Sequence, residues 1–237
     1  MRDPCDSVRH LAGHSALGSG AVRVVVMLAA IWSPAWAWAD DVAAASQTGS
    51  ESAWHIARWA LATNDHQGLP FVVVDKVAAQ VLVFQADGRM VGQASALLGL
   101  AEGDDAVPGI GNRSLASILP HERTTPAGRF VAHWGRNLKG SEILWVDYDG
   151  AVSLHAVVRG VPAERRAQRL SSPTPLDNRI SYGCINVPGA FFRDVVGPTF
   201  RHSVGVVYVL PERRSLQAVF GPGVPSATDA LSAKREP

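Results

Sequence analysis

The chain has very little cysteine. Only Cys5 and Cys184 occur among its 237 residues. Cys5 lies in a segment that we expect to be removed, so the mature chain would hold one thiol and form no internal disulfide. Three interpretations of Cys184 follow: a small buried hydrophobe, a partner in an intermolecular disulfide, or a reactive thiol.

Patterns typical of metal and cofactor sites are also missing. Cys184 has no Cys-x-x-Cys neighbour, and the glycine-containing segment 99–111 leads into no convincing helix. None of the histidines beyond the leader forms a short-spaced pair: His55, His66, His121, His133, His155 and His202. We therefore predict no metal site and no organic cofactor.

Strong charge of either sign is absent. The formal net charge is +1, and residues 1–39, with three arginines and two aspartates, account for all of it. The mature chain is therefore close to neutral. This argues against a nucleic-acid partner, because such proteins carry a marked basic excess.

The chain also lacks an apolar run long enough to span a membrane comfortably. Residues 24–32 are uninterrupted apolar, follow Arg23, and precede the small-x-small sequence of residues 37–39. This pattern predicts a secretory signal peptide over residues 1–39 and a periplasmic or extracytoplasmic location. An uncleaved anchor is the alternative, but a membrane helix needs about 20 apolar residues, and Pro34 interrupts this run. The long stretch before Arg23 favours a translation start downstream of Met1.

About 198 residues remain after cleavage, which suits one compact domain. We expect a leader and N-terminal helix over residues 40–68, a domain over 69–211 and a flexible tail over 212–237. The helix spans 52–63, with Ser50 or Ser52 as its N-cap. Short β-branched runs predict seven strands: 71–76, 80–84, 89–97, 129–134, 143–148, 151–157 and 204–210. Two further short helices are predicted, at 163–170 and 191–196, so the fold is mostly β.

Cys184 lies in the sequence Ser181-Tyr182-Gly183-Cys184-Ile185-Asn186. A cysteine nucleophile needs a base to form its thiolate and donors to receive an oxyanion. The best candidate for the base is His155, near the end of a predicted strand. Imidazole titrates near neutral pH, and an imidazolium beside sulfur lowers the thiol pKa.

The order of these elements resembles the L,D-transpeptidase catalytic domain of bacterial cell-wall enzymes. The elements are a hairpin at 72–84, the turn Thr125-Pro126-Ala127-Gly128, His155 on a strand, and the Ser-x-Gly-Cys sequence of residues 181–184. The resemblance covers residues 69–210. It implies an L,D-transpeptidase-like β-sandwich with a few short helices.

The resemblance also implies a reaction. The Cys184 thiolate would attack the amide between the diamino acid and D-Ala in a peptidoglycan stem peptide, and His155 would protonate the departing amine. Backbone N–H groups of Gly183 and Cys184 would hold the oxyanion, and a backbone carbonyl, that of Ala156, would orient His155. The remaining motif residues, which would orient the loop or the substrate, are Ser181, Tyr182 and Asn186.

Two features depart from the family pattern. Tyr182 stands where the family often has histidine. In addition, residues 160–178 form a longer connection than usual. Its three arginines would either cover the cleft, meet an anionic substrate or form a solvated face: Arg165, Arg166 and Arg169.

Several alternatives use the same residues. The acyl group could pass to a second stem peptide, to the amine of a wall-anchored protein, or to water, which would make the protein an L,D-carboxypeptidase or hydrolase. A non-catalytic wall-binding module is disfavoured by the presence of both Cys184 and His155. A thiol redox protein is disfavoured because no resolving cysteine is present.

Overall fold

A computed structural model of the protein describes residues 49–158 and 160–224. The predicted signal peptide and residues 225–237 of the predicted tail lie outside the described residues. Within them, no helix is both long and apolar enough to cross a membrane.

The described residues form a mostly β domain with short helices, which confirms the predicted fold class. The strands are β1 (Phe71–Asp75), β2 (Gln80–Phe84), β3 (Met90–Ser95), β4 (Leu98–Gly99), β5 (Gly128–Arg136), β6 (Glu142–Asp147), β7 (Val152–Ala156), β8 (Arg179–Ser181), β9 (Ile185–Val187) and β10 (Gly205–Val209). The α-helices are α1 (Glu51–Ala62), α2 (Arg166–Leu170), α3 (Gly189–Phe191), α4 (Gly197–Phe200) and α5 (Leu216–Phe220). A π-helical segment, Phe192–Val196, joins α3 to α4.

Eight strands form one sheet in the order β3-β2-β1-β10-β5-β6-β7-β9, and β4 pairs with β8 in a small second sheet. The β6–β7 pair is antiparallel and is joined by a short turn through Asp149 and Gly150, whereas β7 and β9 run parallel. The chain must therefore leave β7 and return before it enters β9. Residues 157–184 make that return and carry the cysteine loop.

Side chains on the two faces of the sheet enter two separate cores, as the alternation of a pleated strand requires. On β1, Val72 and Val74 pack into a core shared with β7 and β9, while Phe71 and Val73 pack against α1. Ser50 caps α1 by accepting a hydrogen bond from Ala53 N at 3.0 Å. Of the two predicted N-caps, Ser50 is the one used.

The predicted flexible tail needs correction over residues 212–224. The Glu212 side chain is only 7% exposed and lies 3.5 Å from the buried Lys76 ammonium. Beyond it, α5 places Leu216 and Phe220 against the core that contains α1. The tail prediction rested on the small and polar residues that follow, and it overlooked this short apolar turn.

The connection at 160–178 is compact. It consists of the 3₁₀ turn Pro162–Glu164, helix α2 and the 3₁₀ turn Pro175–Asp177. Arg165 has φ +49° and separates the first turn from α2, so the helix predicted at 163–170 begins only at Arg166.

Candidate active site

The cysteine loop joins β8 to β9 through a tight turn. Gly183 has φ +123°, a conformation that strains residues with a Cβ, and a Cβ there would lie 2.8 Å from the Thr124 carbonyl oxygen. The Ser181 hydroxyl donates to the Cys184 carbonyl at 2.6 Å and accepts from Gly183 N at 3.1 Å. Glycine and a buried serine therefore fix the position of the half-buried Cys184 thiol.

His155 lies on β7, beside Asn186 on the parallel strand β9. The strand neighbours Leu154 and Ile185 point into the core, so His155 and Asn186 share the opposite face. The ring Nδ1 lies 2.8 Å from the Ala156 carbonyl oxygen. A carbonyl only accepts hydrogen bonds, so Nδ1 carries the proton and Nε2 is left to act as the base. The structure thus gives His155 the backbone partner that the family resemblance implies.

The Cys184 thiol and the His155 imidazole perturb each other. Burial raises the pKa of Cys184, but the hydrogen bond and the charge of His155, together with the Ser153 N–H and hydroxyl, outweigh burial and lower that pKa overall. Burial lowers the pKa of His155, but the hydrogen bond and the charge of Cys184 raise it overall. Both shifts favour the thiolate–imidazolium pair over the neutral thiol and imidazole.

Two further groups contact the sulfur. The Ser153 hydroxyl lies 3.6 Å from Cys184 Sγ, and the thiol also lies 3.6 Å from the Ala151 carbonyl oxygen. Ser153 precedes His155 by two positions on β7 and therefore shares its face. Sequence reasoning missed Ser153, although a Ser-x-His pattern in a strand was the signal for it.

The Thr125-Pro126-Ala127-Gly128 turn braces the cysteine loop. The fully buried Thr125 hydroxyl accepts from Gly99 N at 2.8 Å and donates to the Gly183 carbonyl at 2.8 Å. One side chain therefore connects β4, the turn and the loop. The turn was recognised in the sequence, but the contact of Thr125 with the loop was not predicted.

The N–H groups expected to hold an oxyanion differ in their contacts. The Gly183 N–H is directed at Ser181, whereas the Cys184 N–H has no hydrogen-bond partner among residues 49–158 and 160–224. In this conformation the Cys184 N–H is the donor left for an oxyanion. Gly183 contributes the shape of the loop.

Tyr182 lies outside this set of contacts. Its ring is 37% exposed, and the Arg123 guanidinium lies over it, 3.9 Å from the ring centroid. This is a cation–π contact at the rim of the loop. Arg123 is a neighbour that the sequence did not indicate.

The three arginines of residues 160–178 have different environments. Arg166 Nη1 donates to Asn186 Oδ1 at 3.0 Å, and Arg169 donates to the backbone carbonyls of Glu164 and Asp177 at 2.7 and 2.6 Å. Arg165 borders a pocket of about 340 Å³ beside the end of β7. Only Arg166 reaches the candidate site.

The described ranges contain no cluster of three or more His, Cys, Asp or Glu side chains able to hold a metal ion. The groups gathered around Cys184 suit acyl transfer: a thiol of lowered pKa, a base whose Nδ1 is held by a backbone carbonyl so that Nε2 faces the thiol, and an unengaged N–H beside the sulfur.

Comparison with known proteins finds solved structures that have a similar fold. No protein-family model matches the chain, and no curated protein matches it in sequence. The fold is similar to that of an L,D-transpeptidase from Xylanimonas cellulosilytica, with 18% identity, a TM-score of 0.37 and 60% of each chain covered. It is also similar to an L,D-transpeptidase from Mycobacterium smegmatis, with 19% identity, a TM-score of 0.34 and coverage of 60% of this chain and 58% of that one.

A third similar structure is the helical cell shape determining protein Pgp2 from Campylobacter jejuni. The identity is 14% and the TM-score is 0.42, over 62% of this chain and 49% of that chain. The matched region thus spans about half to three fifths of these proteins' lengths. At such identities the likeness concerns the fold, so a function has to be argued from the side chains of the site.

Proposed function

We propose that the protein is an exported cysteine acyltransferase, an L,D-transpeptidase that acts on peptidoglycan stem peptides. The observation that carries the proposal is the geometry of the Cys184–His155 pair: Ser181 holds the cysteine loop, and the Ala156 carbonyl holds His155 Nδ1 at 2.8 Å, which leaves Nε2 for the thiol. The lowered pKa of the thiol and the raised pKa of the imidazole agree with this pairing. A cysteine kept only for packing requires no such partner.

The proposed reaction begins at the thiolate. Cys184 Sγ attacks the carbonyl carbon of the amide between the diamino acid and the terminal D-Ala, and the Cys184 N–H donates to the oxyanion. The C–N bond breaks as the Nε2 proton of His155 passes to the departing amine. The products of this half-reaction are free D-Ala and a thioester on Cys184.

The second half-reaction reverses the roles of the groups. An acceptor amine attacks the thioester carbonyl, neutral His155 takes the amine proton at Nε2, and the thiolate leaves. The acceptor is the side-chain amine of a second stem peptide or the amine of a wall protein. Water as the acceptor would give a carboxypeptidase by the same steps.

The test is incubation of the purified protein with tetrapeptide muropeptides, followed by mass measurement of the products. Cross-linked dimers and free D-Ala are expected from the wild type, and neither is expected from Cys184→Ala. Trimmed tripeptide monomers without dimers would show hydrolysis instead of transfer. Undiminished activity of Cys184→Ala would refute the assignment of the nucleophile.

A further inference from the structure

The Asn186 side chain connects the candidate site to the connection at 160–178. It is 1% exposed, and its amide contacts three groups. Asn186 Oδ1 accepts from Arg166 Nη1 at 3.0 Å, Nδ2 donates to the Cys184 carbonyl at 3.2 Å, and Nδ2 lies 3.4 Å from His155 Nε2. One amide therefore contacts the cysteine loop, the base and an arginine from another segment.

Arg166 and the Cys184 carbonyl together fix which way this amide faces. A guanidinium has only donors, so the oxygen of Asn186 must point toward it, and the NH₂ group must point toward His155 and Cys184. Without Arg166, only the 3.2 Å hydrogen bond to the Cys184 carbonyl would hold the NH₂ group in this direction, and an amide that turned over would place its oxygen against Nε2. The direction of the amide thus depends in part on a residue of α2, outside the cysteine loop.

The amide direction matters because Nε2 is the nitrogen that gains and loses the proton. An NH₂ group facing Nε2 favours the neutral ring, which has a lone pair there, and disfavours the imidazolium, which has a hydrogen there. The arrangement therefore moderates the raised proton affinity that Cys184 gives to His155. A base that held its proton too tightly would return it slowly to a leaving group.

Arg166 is itself held in place. Its Nε donates to Glu164 Oε2 at 2.6 Å, and its side chain is 11% exposed. The Glu164 carbonyl in turn accepts from Arg169 Nε at 2.7 Å. These contacts fix the N-terminal end of α2 over the site, so the guanidinium does not move freely.

We propose that Arg166 is a positioning residue, which orients the Asn186 amide toward His155 Nε2 and so sets how readily His155 releases its proton. The segment 160–178 is then part of the site and not only a solvated loop. The catalytic consequence rests on the proposed function, but the effect on His155 does not.

The charged groups that face His155 can be named from each neighbouring element. Cys184 faces it from the cysteine loop and raises its pKa, whereas Arg166 faces it from α2 and lowers it. Glu164 partly neutralises Arg166. From β6, the antiparallel register places the apolar Ile143 opposite His155.

The test measures the rate of Cys184 alkylation by iodoacetamide across pH, together with the titration of His155 by NMR. In Arg166→Gln, two changes raise the pKa of His155: the positive charge is lost, and the Asn186 amide is no longer held by a guanidinium. The upper inflection of the alkylation profile and the His155 titration should both move to higher pH, by about half a pH unit or more. The matched control is Arg165→Gln, which removes a positive charge one residue away. It should leave both the alkylation profile and the His155 titration unchanged.

Arg166→Lys is the second variant. Lysine keeps the positive charge and one donor for Asn186. We therefore expect the alkylation inflection and the His155 titration to move to higher pH by less than in Arg166→Gln. An unchanged titration in Arg166→Gln and Arg166→Lys, or equal movements in the Arg165 and Arg166 variants, would overturn the proposal. Failure of the wild type to act on muropeptides would bear on the proposed function alone, because alkylation needs no peptidoglycan.

Discussion

At the scale of single residues, we propose that His155 sets the reactivity of Cys184. Because burial alone raises the pKa of the thiol, removing the imidazole should return that pKa to a high value. We predict that His155→Ala slows alkylation of Cys184 at pH 7 by about tenfold or more, since each unit of thiol pKa changes the thiolate fraction about tenfold. The measurement is the alkylation rate from pH 5 to 10, and the control is His121→Ala, a change outside the thiol contacts. An unchanged rate at neutral pH would show that the pair does not form.

Gly183 is a second residue at which the addition of a single Cβ atom should displace the cysteine loop. A Cβ would lie 2.8 Å from the Thr124 carbonyl, in a backbone conformation that alanine adopts only with strain. We predict that Gly183→Ala lowers turnover of muropeptides at least about 100-fold, because the thiol moves relative to His155. Gly189→Ala is the matched control, since a Cβ at that position would have no neighbour within 4 Å. Near-normal turnover in Gly183→Ala would contradict the close packing of the loop against Thr124.

Tyr182 stands where the family often has histidine, and we expect this difference to have only a small effect on activity. Its ring contacts Arg123 at the rim and takes no part in the contacts around the sulfur. We predict that Tyr182→Phe, which keeps the ring over which Arg123 lies, changes kcat/KM less than about threefold, because even complete loss of an exposed cation–π contact costs only about 0.5–1 kcal/mol. Steady-state kinetics on muropeptides measures this, and a loss of about 100-fold would assign the hydroxyl a direct role.

At the scale of secondary-structure elements, the Thr125 turn connects separate parts of the chain. Its buried hydroxyl bridges Gly99 and Gly183, so its loss leaves a buried donor and a buried acceptor unpaired. We predict that Thr125→Val lowers the free energy of unfolding by about 1–3 kcal/mol and also lowers turnover. Thr125→Ser keeps the hydroxyl and is the control in urea unfolding. Equal stability of the valine and serine variants would argue against the bridge.

The long strands and α1 could be predicted from sequence because their apolar residues are β-branched or helically spaced over five or more positions. The strands β4, β8 and β9 could not, since two or three residues carry no readable period. They exist because pairing with distant strands stabilises them, as β9 pairs with β7. These unpredicted strands are the ones that hold the cysteine loop.

Two residues of the candidate site, Cys184 and His155, could be identified from the sequence. Cys184 is one of only two cysteines in the sequence, and His155 is the histidine that lies near the end of a predicted strand shortly before the cysteine motif. Ser153, Thr125 and Arg166 did not stand out, because serine, threonine and arginine are common and their contacts here cross 31, 58 and 20 positions of the chain. Only the fold identifies which of them reach the site.

At the scale of the whole molecule, a buried ionic cluster joins the start and the end of the domain. The fully buried Lys76 ammonium donates to Asp104 Oδ1 at 2.8 Å and to the Thr125 carbonyl at 3.0 Å. Asp104 also accepts from the backbone N–H groups of residues 212–214. This cluster fixes the segment after β10 and supports the turn beneath the cysteine loop.

The cluster predicts how stability depends on pH. Burial raises the pKa of Asp104, but Lys76 and three backbone N–H groups lower it well below its usual value overall. A carboxyl whose folded pKa is lowered contributes stability above its unfolded pKa, about 3.9, and loses it as the pH falls further. The free energy of unfolding of Asp104→Asn at pH 7 should therefore be about 3–5 kcal/mol lower than that of the wild type, the range typical of breaking a buried ion pair. The difference should shrink below about pH 4.

Urea unfolding at pH 7 and pH 3 measures this difference, with Asp105→Asn as the matched control. Asp105 is the exposed neighbour, with a side chain 80% exposed. The Asp105 variant should match the wild type at both pH values within about 0.5 kcal/mol. A difference for Asp104→Asn that stays constant between pH 7 and pH 3 would contradict the assigned ionisation.

Every step of the proposed reaction depends on Cys184 being an acylable nucleophile. The most direct measurement is the intact mass of the protein after exposure to a carbapenem, whose strained β-lactam carbonyl acylates an activated thiol, followed by peptide mapping. We predict one carbapenem per molecule on Cys184 in the wild type, slower labelling of His155→Ala and no adduct on Cys184→Ala. A wild-type protein that stays unmodified at Cys184 through prolonged exposure would contradict the central claim.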